Sequence, residues 1–308
     1  MPAASETHFN LSLDSSSLDR HSLRRRDPEL ITALLSHSGT AVLDVYGDRL
    51  PNLDAGNRLQ FRTPVEADRE ELLVYLGEVG GREVLAVLRG HDDTVAADGL
   101  RQLGLSLQPD DIPIAVTAMG IGRWHAVNGF CPPCGTSTAV VEAGWVRHCP
   151  NCGRDNYPRT DPAVIMAVTD DDDRILLGRG QNFASKGMSV LAGFVEPGES
   201  LETAVAREVM EEVGVSVTDI QFLGDQPWPF PASLMVGFTC RATTTELTLD
   251  PEEIADARWF TRPELAAAVA TGDVHLSARL SIARHLIEHW YGEPIDQPDD
   301  GSPVRRAR

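Results

Sequence analysis

Apolar positions recur along this chain with two periods, which divide it into short strands and a few helices. Between residues 40 and 120, short apolar runs alternate with turns. Residues 71–77 (ELLVYLG) and 82–88 (REVLAVL) flank a Glu-Val-Gly-Gly turn and predict a two-stranded hairpin. Residues 92–103 predict a helix, with Asp92 at its start and Gly104 past its end. Residues 114–126, small and apolar, predict another. The run 163–168 (AVIMAV) predicts a buried strand, 170–174 an acidic turn and 175–178 the returning strand. The strongest helical pattern lies at 200–213, where Leu201, Val205, Val209 and Val213 recur every four positions as one apolar stripe. Strands at 217–222, 234–242 and 258–260 and helices at 262–269 and 276–290 complete the pattern. Residues 1 to about 30 are Ser-rich, then Arg-rich. From Glu293 the chain is rich in Pro, Asp and Gly, and a disordered tail is expected there.

Length and charge narrow the function classes. With 308 residues, 42% of them apolar, the chain has material for two or three cores. A formal net charge of −19 repels nucleic-acid phosphates at long range and argues against a generic DNA or RNA binder. It leaves room for a phosphorylated substrate reached through a divalent cation held by carboxylates. No apolar run approaches membrane-spanning length, and the N-terminus lacks a signal-peptide pattern, so no membrane partner and a cytoplasmic location are expected.

Four of the five cysteines form two close pairs, Cys131-Pro-Pro-Cys134-Gly and Cys149-Pro-Asn-Cys152-Gly, with fourteen residues between them. Two such knuckles supply four thiolates for one tetrahedral Zn²⁺ per chain. A filled shell has no open position, so this zinc is expected to be structural. Cys240 sits alone in an apparent strand and reads as core. His125 and His148 read as bystanders. Zinc ribbons often bind nucleic acid, but residues 135–148 contain one Arg and no Lys.

The chemistry concentrates at 193–215, GFVEPGESLETAVAREVMEEVGV. Pro197-Gly198 makes a turn, Ser200 can cap the helix that follows, and Gly214 suits a left-handed stop. Glu208, Glu211 and Glu212, spaced i, i+3 and i+4, share adjacent helix positions. Three like charges that close repel one another, and hard oxygen ligands at that spacing suit Mg²⁺ or Mn²⁺. A solvated acidic helix face would explain the three glutamates alone. It does not explain the seven fixed Gly, Glu and Arg positions, which match by chance in ~1 of a million chains of this length.

This segment resembles the Nudix hydrolase signature at every defined position. The resemblance implies a loop–helix–loop set against a mixed sheet in an α/β/α sandwich, and metal-assisted cleavage of a nucleoside diphosphate linkage. Glu208 and Glu212 match the family's metal-binding glutamates, and Glu211 is a further candidate ligand. Arg207 would orient the carboxylates, with Glu199 as its ion-pair partner. A metal-binding glutamate usually follows the box; Glu253 is the candidate, with Glu252 its rival. The catalytic base varies among family members and is left unassigned.

A second array narrows the substrate. Gln226, Pro227, Trp228, Pro229, Phe230, Pro231, Ala232 and Ser233 (QPWPFPAS) resemble the segment SQPWPFPxS that marks NADH pyrophosphatases within the Nudix family; Asp225 stands where that pattern has Ser. Three prolines stiffen the backbone and two aromatics project from it, which suits a flat base. A Pro-rich connector with buried aromatics is the plainer alternative. The resemblance further implies that Tyr157 and Phe194 sandwich the nicotinamide. It also implies that backbone groups at Ala192 and Ala283 face metal and substrate respectively.

The order of zinc ribbon, Nudix box and QPWPFP matches bacterial NADH pyrophosphatases. It predicts a mixed α/β (α+β) protein: an N-terminal domain at 1–125, a four-cysteine zinc ribbon at 126–160, a Nudix domain at 161–292 and a tail at 293–308. The expected activity is hydrolysis of NAD(H) to nicotinamide mononucleotide and AMP, with removal of NAD caps from RNA 5′ ends, by a homodimer. Two alternatives stay open: a broader hydrolase of ADP-ribose or dinucleoside polyphosphates, and a non-catalytic zinc-ribbon binding protein.

Overall fold

The structure, a computed structural model, describes residues 18–183 and 185–297. The expected tail beyond 297 and the first seventeen residues lie outside the described residues. The chain forms two compact units. One takes Asp161–Gln226 and the chain from Ser233. The other takes the described residues up to Thr160, together with Pro227–Ala232.

The N-terminal unit contains α1 (Leu30–Ser36), β1 (Ala41–Tyr46), β2 (Leu72–Val79), β3 (Arg82–Arg89), α2 (Leu100–Leu103) and α3 (Ile112–Val127). Strand β3 is central, antiparallel to β2 as the hairpin pattern predicts and parallel to β1. Alternation along the strands gives the sheet two apolar faces. Leu30 and Leu34 of α1 cover one, with Val42, Tyr75, Leu85 and Val87. Helix α3 meets the other: a Cβ on Gly122 would lie 3.6 Å from Leu88 and 3.7 Å from Val45.

The helix expected over 92–103 forms only as α2. The Asp92 carboxylate accepts from both the N–H (2.9 Å) and the hydroxyl (2.6 Å) of Thr94, closing a local turn instead of capping a helix. Ala97–Asp98 then pairs antiparallel with Leu50–Pro51.

The cysteine-rich segment adds a small sheet of β4 (Ala139–Val141), β5 (Val146–His148) and β6 (Asp155–Asn156). Trp145 donates its indole N–H to the Tyr75 carbonyl at 2.7 Å, and the Arg25 guanidinium stacks 3.6 Å from the Trp145 ring centre.

The second unit contains β7 (Asp161–Thr169), β8 (Ile175–Gly180), β9 (Leu191–Phe194), α4 (Leu201–Val213), β10 (Val217–Trp228, which leaves this unit after Gln226), β11 (Ser233–Ala242), β12 (Ile254–Phe260), α5 (Arg262–Ala270) and α6 (Ile282–Tyr291). The sheet order is β10-β11-β7-β8-β12, with β9 antiparallel to the first half of β7. Strand β7 reads as an unbroken apolar run because both of its faces are buried. Val164, Met166 and Val168 pack with Val205, Val209 and Val213 of α4. Ile165 and Ala167 pack on the other face with Leu265 of α5 and with Leu286 and Ile287 of α6. This is the three-layer α/β/α arrangement that the resemblance implies.

The helix expected over 276–290 starts later, at Ile282. His275–Leu276 instead pairs in parallel with Gly187–Met188, and Ser281 caps α6 by accepting from the Ala283 N–H at 3.2 Å. Residues 293–297, expected to open a disordered tail, are ordered against this unit: Ile295 is buried, and its N–H donates to Glu288 at 3.0 Å. Among the described residues no helix is long and apolar enough to cross a membrane.

Candidate active site and metal centres

Helix α4 carries the acidic array. Ser200 Oγ accepts from the Thr203 N–H at 3.2 Å and opens the helix; Gly214, at φ +72°, closes it. The stripe that seats Val205 and Val209 in the core also draws Glu208 and Glu212 inward, to 8% and 7% exposure, while Glu211 stays exposed. Across from the helix, Gly193 on β9 admits the Glu208 carboxylate. A Cβ there would stand 1.9 Å from the carboxylate carbon.

Arg207 ties the array together. Its Nε and one terminal nitrogen donate to the two Glu199 oxygens at 2.7 and 2.9 Å, in fork geometry. That same nitrogen also donates to the Phe194 carbonyl at 2.9 Å. The other terminal nitrogen donates to Glu208 and to Glu211, both at 2.9 Å. The guanidinium holds the Glu199 carboxyl down at about 2. Glu212 has no such partner. Burial, then the charges of Glu208 and Glu253, push its carboxyl up to about 8. Its Oε2 is buried and makes no hydrogen bond within the protein. Burial also raises Glu208, against the pull of Arg207 and with the push of Glu211 and Glu253. Glu253 is therefore among the charges that bear on both inner glutamates. Its carbonyl is fixed by the Gln181 N–H at 2.9 Å. Crowded carboxylates, one with an orphaned buried oxygen, are a donor set that fits a hard divalent cation.

The four knuckle cysteines form a second site: the sulfurs of Cys131, Cys134, Cys149 and Cys152 all lie within 4.8 Å of one another. The knuckles repeat one hydrogen-bond pattern. Gly135 N–H donates to the Cys131 carbonyl at 2.8 Å and Gly153 N–H to the Cys149 carbonyl at 2.9 Å. Cys131 N–H donates to the Thr136 carbonyl and Cys149 N–H to that of Arg154. Both glycines are left-handed, at φ +69° and +71°. Four thiols so gathered fit tetrahedral Zn²⁺. His125 is no ligand here: its Nδ1 accepts from Arg147 Nε at 2.9 Å, which leaves Nε2–H to donate to the Gly144 carbonyl at 2.8 Å. His148 pairs with Asp155 at 2.7 Å. Cys240 is buried in β11.

In the QPWPFPAS segment, the first residue is a clamp. Gln226 is fully buried; its amide nitrogen donates to the Leu280 carbonyl and its oxygen accepts from the Ile282 N–H, both at 2.8 Å. It thereby fixes the start of α6, one residue from Ala283, whose own N–H is taken by Ser281. Nothing in its sequence setting marks that task. Ser233 is buried at the start of β11. Between them Pro227–Ala232 belongs to the N-terminal unit, where the Trp228 and Phe230 rings meet edge to face at 4.9 Å. Tyr157 and Phe194 are exposed aromatics, at 61% and 57%, one in each unit. Ala192 is exposed on β9 beside Gly193.

Matches to known families fall on these two sites. The NUDIX domain family matches residues 159–280, and the NADH pyrophosphatase zinc ribbon domain matches residues 128–157. The protein called NAD-capped RNA hydrolase NudC from Mycobacterium tuberculosis is 41% identical over 254 residues, covering 77% of this chain and 79% of that protein. NAD-capped RNA hydrolase NUDT12 from Homo sapiens is 33% identical over 343 aligned positions, covering 92% and 73%. Among solved structures, a NUDIX hydrolase from Nitrosomonas europaea is 21% identical over 54% of this chain and 94% of its own, with a TM-score of 0.43, too loose a superposition to add to the argument.

Proposed function

Because this chain belongs to the Nudix hydrolase family, in the branch with the NADH pyrophosphatase zinc ribbon, we propose that it hydrolyses the pyrophosphate of NAD(H). The products are nicotinamide mononucleotide and AMP. The same site removes NAD caps from RNA 5′ ends and leaves a monophosphate, since the reacting linkage is identical.

One observation carries the reading: Arg207 clamps three carboxylates while Glu212, beside them, is left with an unpartnered buried oxygen. Glu208 and Glu212, with Glu211 and Glu253, would hold Mg²⁺ or Mn²⁺. Bound there, the cation supplies neutralisation of the pyrophosphate and a lowered pKa for water. The chain's own part is to preset the ligands. Glu199 anchors Arg207, Arg207 aims Glu208 and Glu211, and Gly193 leaves Glu208 its space. Glu212 holds a proton when ion-free and must release it to act as a ligand. The base that accepts the proton from water stays unassigned among the glutamates.

The loop at 226–233 is the substrate-selecting element, with Tyr157 and Phe194 as stacking partners for the nicotinamide and a backbone group of Ala192 turned to the metal; Ala283 is buried with its N–H taken by Ser281 and offers the substrate no free N–H. The zinc has a structural task. The division into 1–125, 126–160 and 161–292, the homodimer and the cytoplasmic location complete the proposal.

The test is incubation of the purified protein with Mn²⁺ or Mg²⁺ and NADH, NAD⁺, ADP-ribose or NAD-capped RNA, with products resolved. Nicotinamide mononucleotide and AMP from NADH support the reading. ADP-ribose consumed far ahead of NADH points to the broader hydrolase, and no turnover with zinc retained points to a binding protein. Glu212→Gln should abolish hydrolysis in a folded protein.

A further inference from the structure

The N-terminal unit carries no catalytic motif, yet it holds the loop on which substrate choice rests. Pro229 is buried, and a Cβ on Gly120 of α3 would lie 3.9 Å from it. One turn further along α3, the Arg123 guanidinium lies 5.2 Å from the centre of the Phe230 ring. Arg101 of α2 lies 4.5 Å from the Phe230 ring and 5.7 Å from the Trp228 ring. Arg123 is itself steadied by Asp48, at 3.4 Å. Phe230 N–H donates to the Trp228 carbonyl at 2.7 Å, which tightens the backbone between the two residues, and their rings meet edge to face at 4.9 Å. A guanidinium is planar and weakly hydrated, and it fixes the tilt of a ring it stacks on as well as its position.

We propose that Arg101 and Arg123 are specificity-positioning residues, which hold Trp228 and Phe230 in the orientation that selects a nicotinamide dinucleotide. This rests on the reading that the loop selects the substrate. The arginines touch the rings, not the reacting atoms, so their contribution falls on KM and not on kcat.

The test measures NADH and ADP-ribose hydrolysis by Arg101→Ala, Arg123→Ala, the corresponding Lys variants and Trp228→Ala, with thermal melting as a check of folding. Each Arg→Ala change should raise KM for NADH about ten-fold, with kcat within about two-fold. The preference for NADH over ADP-ribose should fall by a similar factor, and Lys should restore part of it. Equal losses on both substrates, or a loss in kcat alone, would overturn the proposal. If Trp228→Ala erodes the NADH preference and neither Arg→Ala change does, the arginines are packing residues and the loop's role stands. If Trp228→Ala leaves the preference intact, the loop reading fails and the proposal with it. Should the Ala variants unfold, the Lys variants decide: an unchanged NADH KM and preference in both a folded Arg101→Lys and a folded Arg123→Lys, with Trp228→Ala effective, overturns the proposal.

Discussion

Gly193 and Glu208 occupy a space that allows only one of them a side chain: a Cβ on Gly193 would fall 1.9 Å from the Glu208 carboxylate carbon. Strand β9 and helix α4 approach each other here because the carboxylate replaces the missing side chain. Gly193→Ala should therefore displace Glu208 and spare the core behind it. A loss of about 100-fold in kcat is expected, with the melting temperature nearly kept. Steady-state kinetics at saturating Mn²⁺ check this. Near-normal kcat would show that Glu208 moves without consequence.

Glu199 touches the reaction only through Arg207. Glu199→Gln keeps the shape and removes the charge that draws the guanidinium into its fork. Hydrolysis should fall about 10- to 100-fold, with a higher Mg²⁺ requirement, as for other residues that orient metal ligands. Titration of activity against Mg²⁺ measures both. An unchanged Mg²⁺ dependence would place Glu199 outside that role.

Glu212, with its carboxyl raised to about 8, makes the ion-free protein pH-dependent. The folded state keeps a proton that the unfolded chain releases above its ordinary value of 4.5. The resulting stability is full below about pH 4.5 and is lost as pH rises through about 8. Mg²⁺ competes with that proton, so its affinity should rise with pH and level off above about 8. Calorimetric titrations in two buffers of different ionisation heat would count the proton released. No proton release at pH 7 would mean that Glu212 is already ionised.

His125 works in the opposite sense. Burial, with Arg147 adding to it, lowers its imidazole from 6.5 to about 4. The unfolded chain takes up the proton first, so this contribution to stability is full above pH 6.5 and is lost as pH falls to about 4. The loss amounts to about 3 kcal/mol. Melting of His125→Gln, followed between pH 7 and 4, should show a shallower decline than the parent. Identical slopes would assign the acid sensitivity elsewhere.

The chain's local chemistry was open to reading because it depends on near neighbours in sequence. Glu208, Glu211 and Glu212 are brought together by helical spacing alone, the knuckles close within six residues each, and the unbroken apolar run of β7 announces a strand buried on both faces. The two misread helices failed where distant pairing outcompeted local propensity: Ala97–Asp98 joined Leu50–Pro51, and His275–Leu276 joined Gly187–Met188. Tertiary structure alone decided the rest. It placed Gly193 against Glu208, left Glu212 without a partner, brought the Glu253 charge to bear on Glu208 and Glu212, and set Gln226 at the start of α6. It also gave the loop at 227–232 to the N-terminal unit, where Arg101 and Arg123 meet its rings from more than a hundred residues away. Burial and long-range contact create those relationships, and a residue's spacing from its sequence neighbours carries no trace of them.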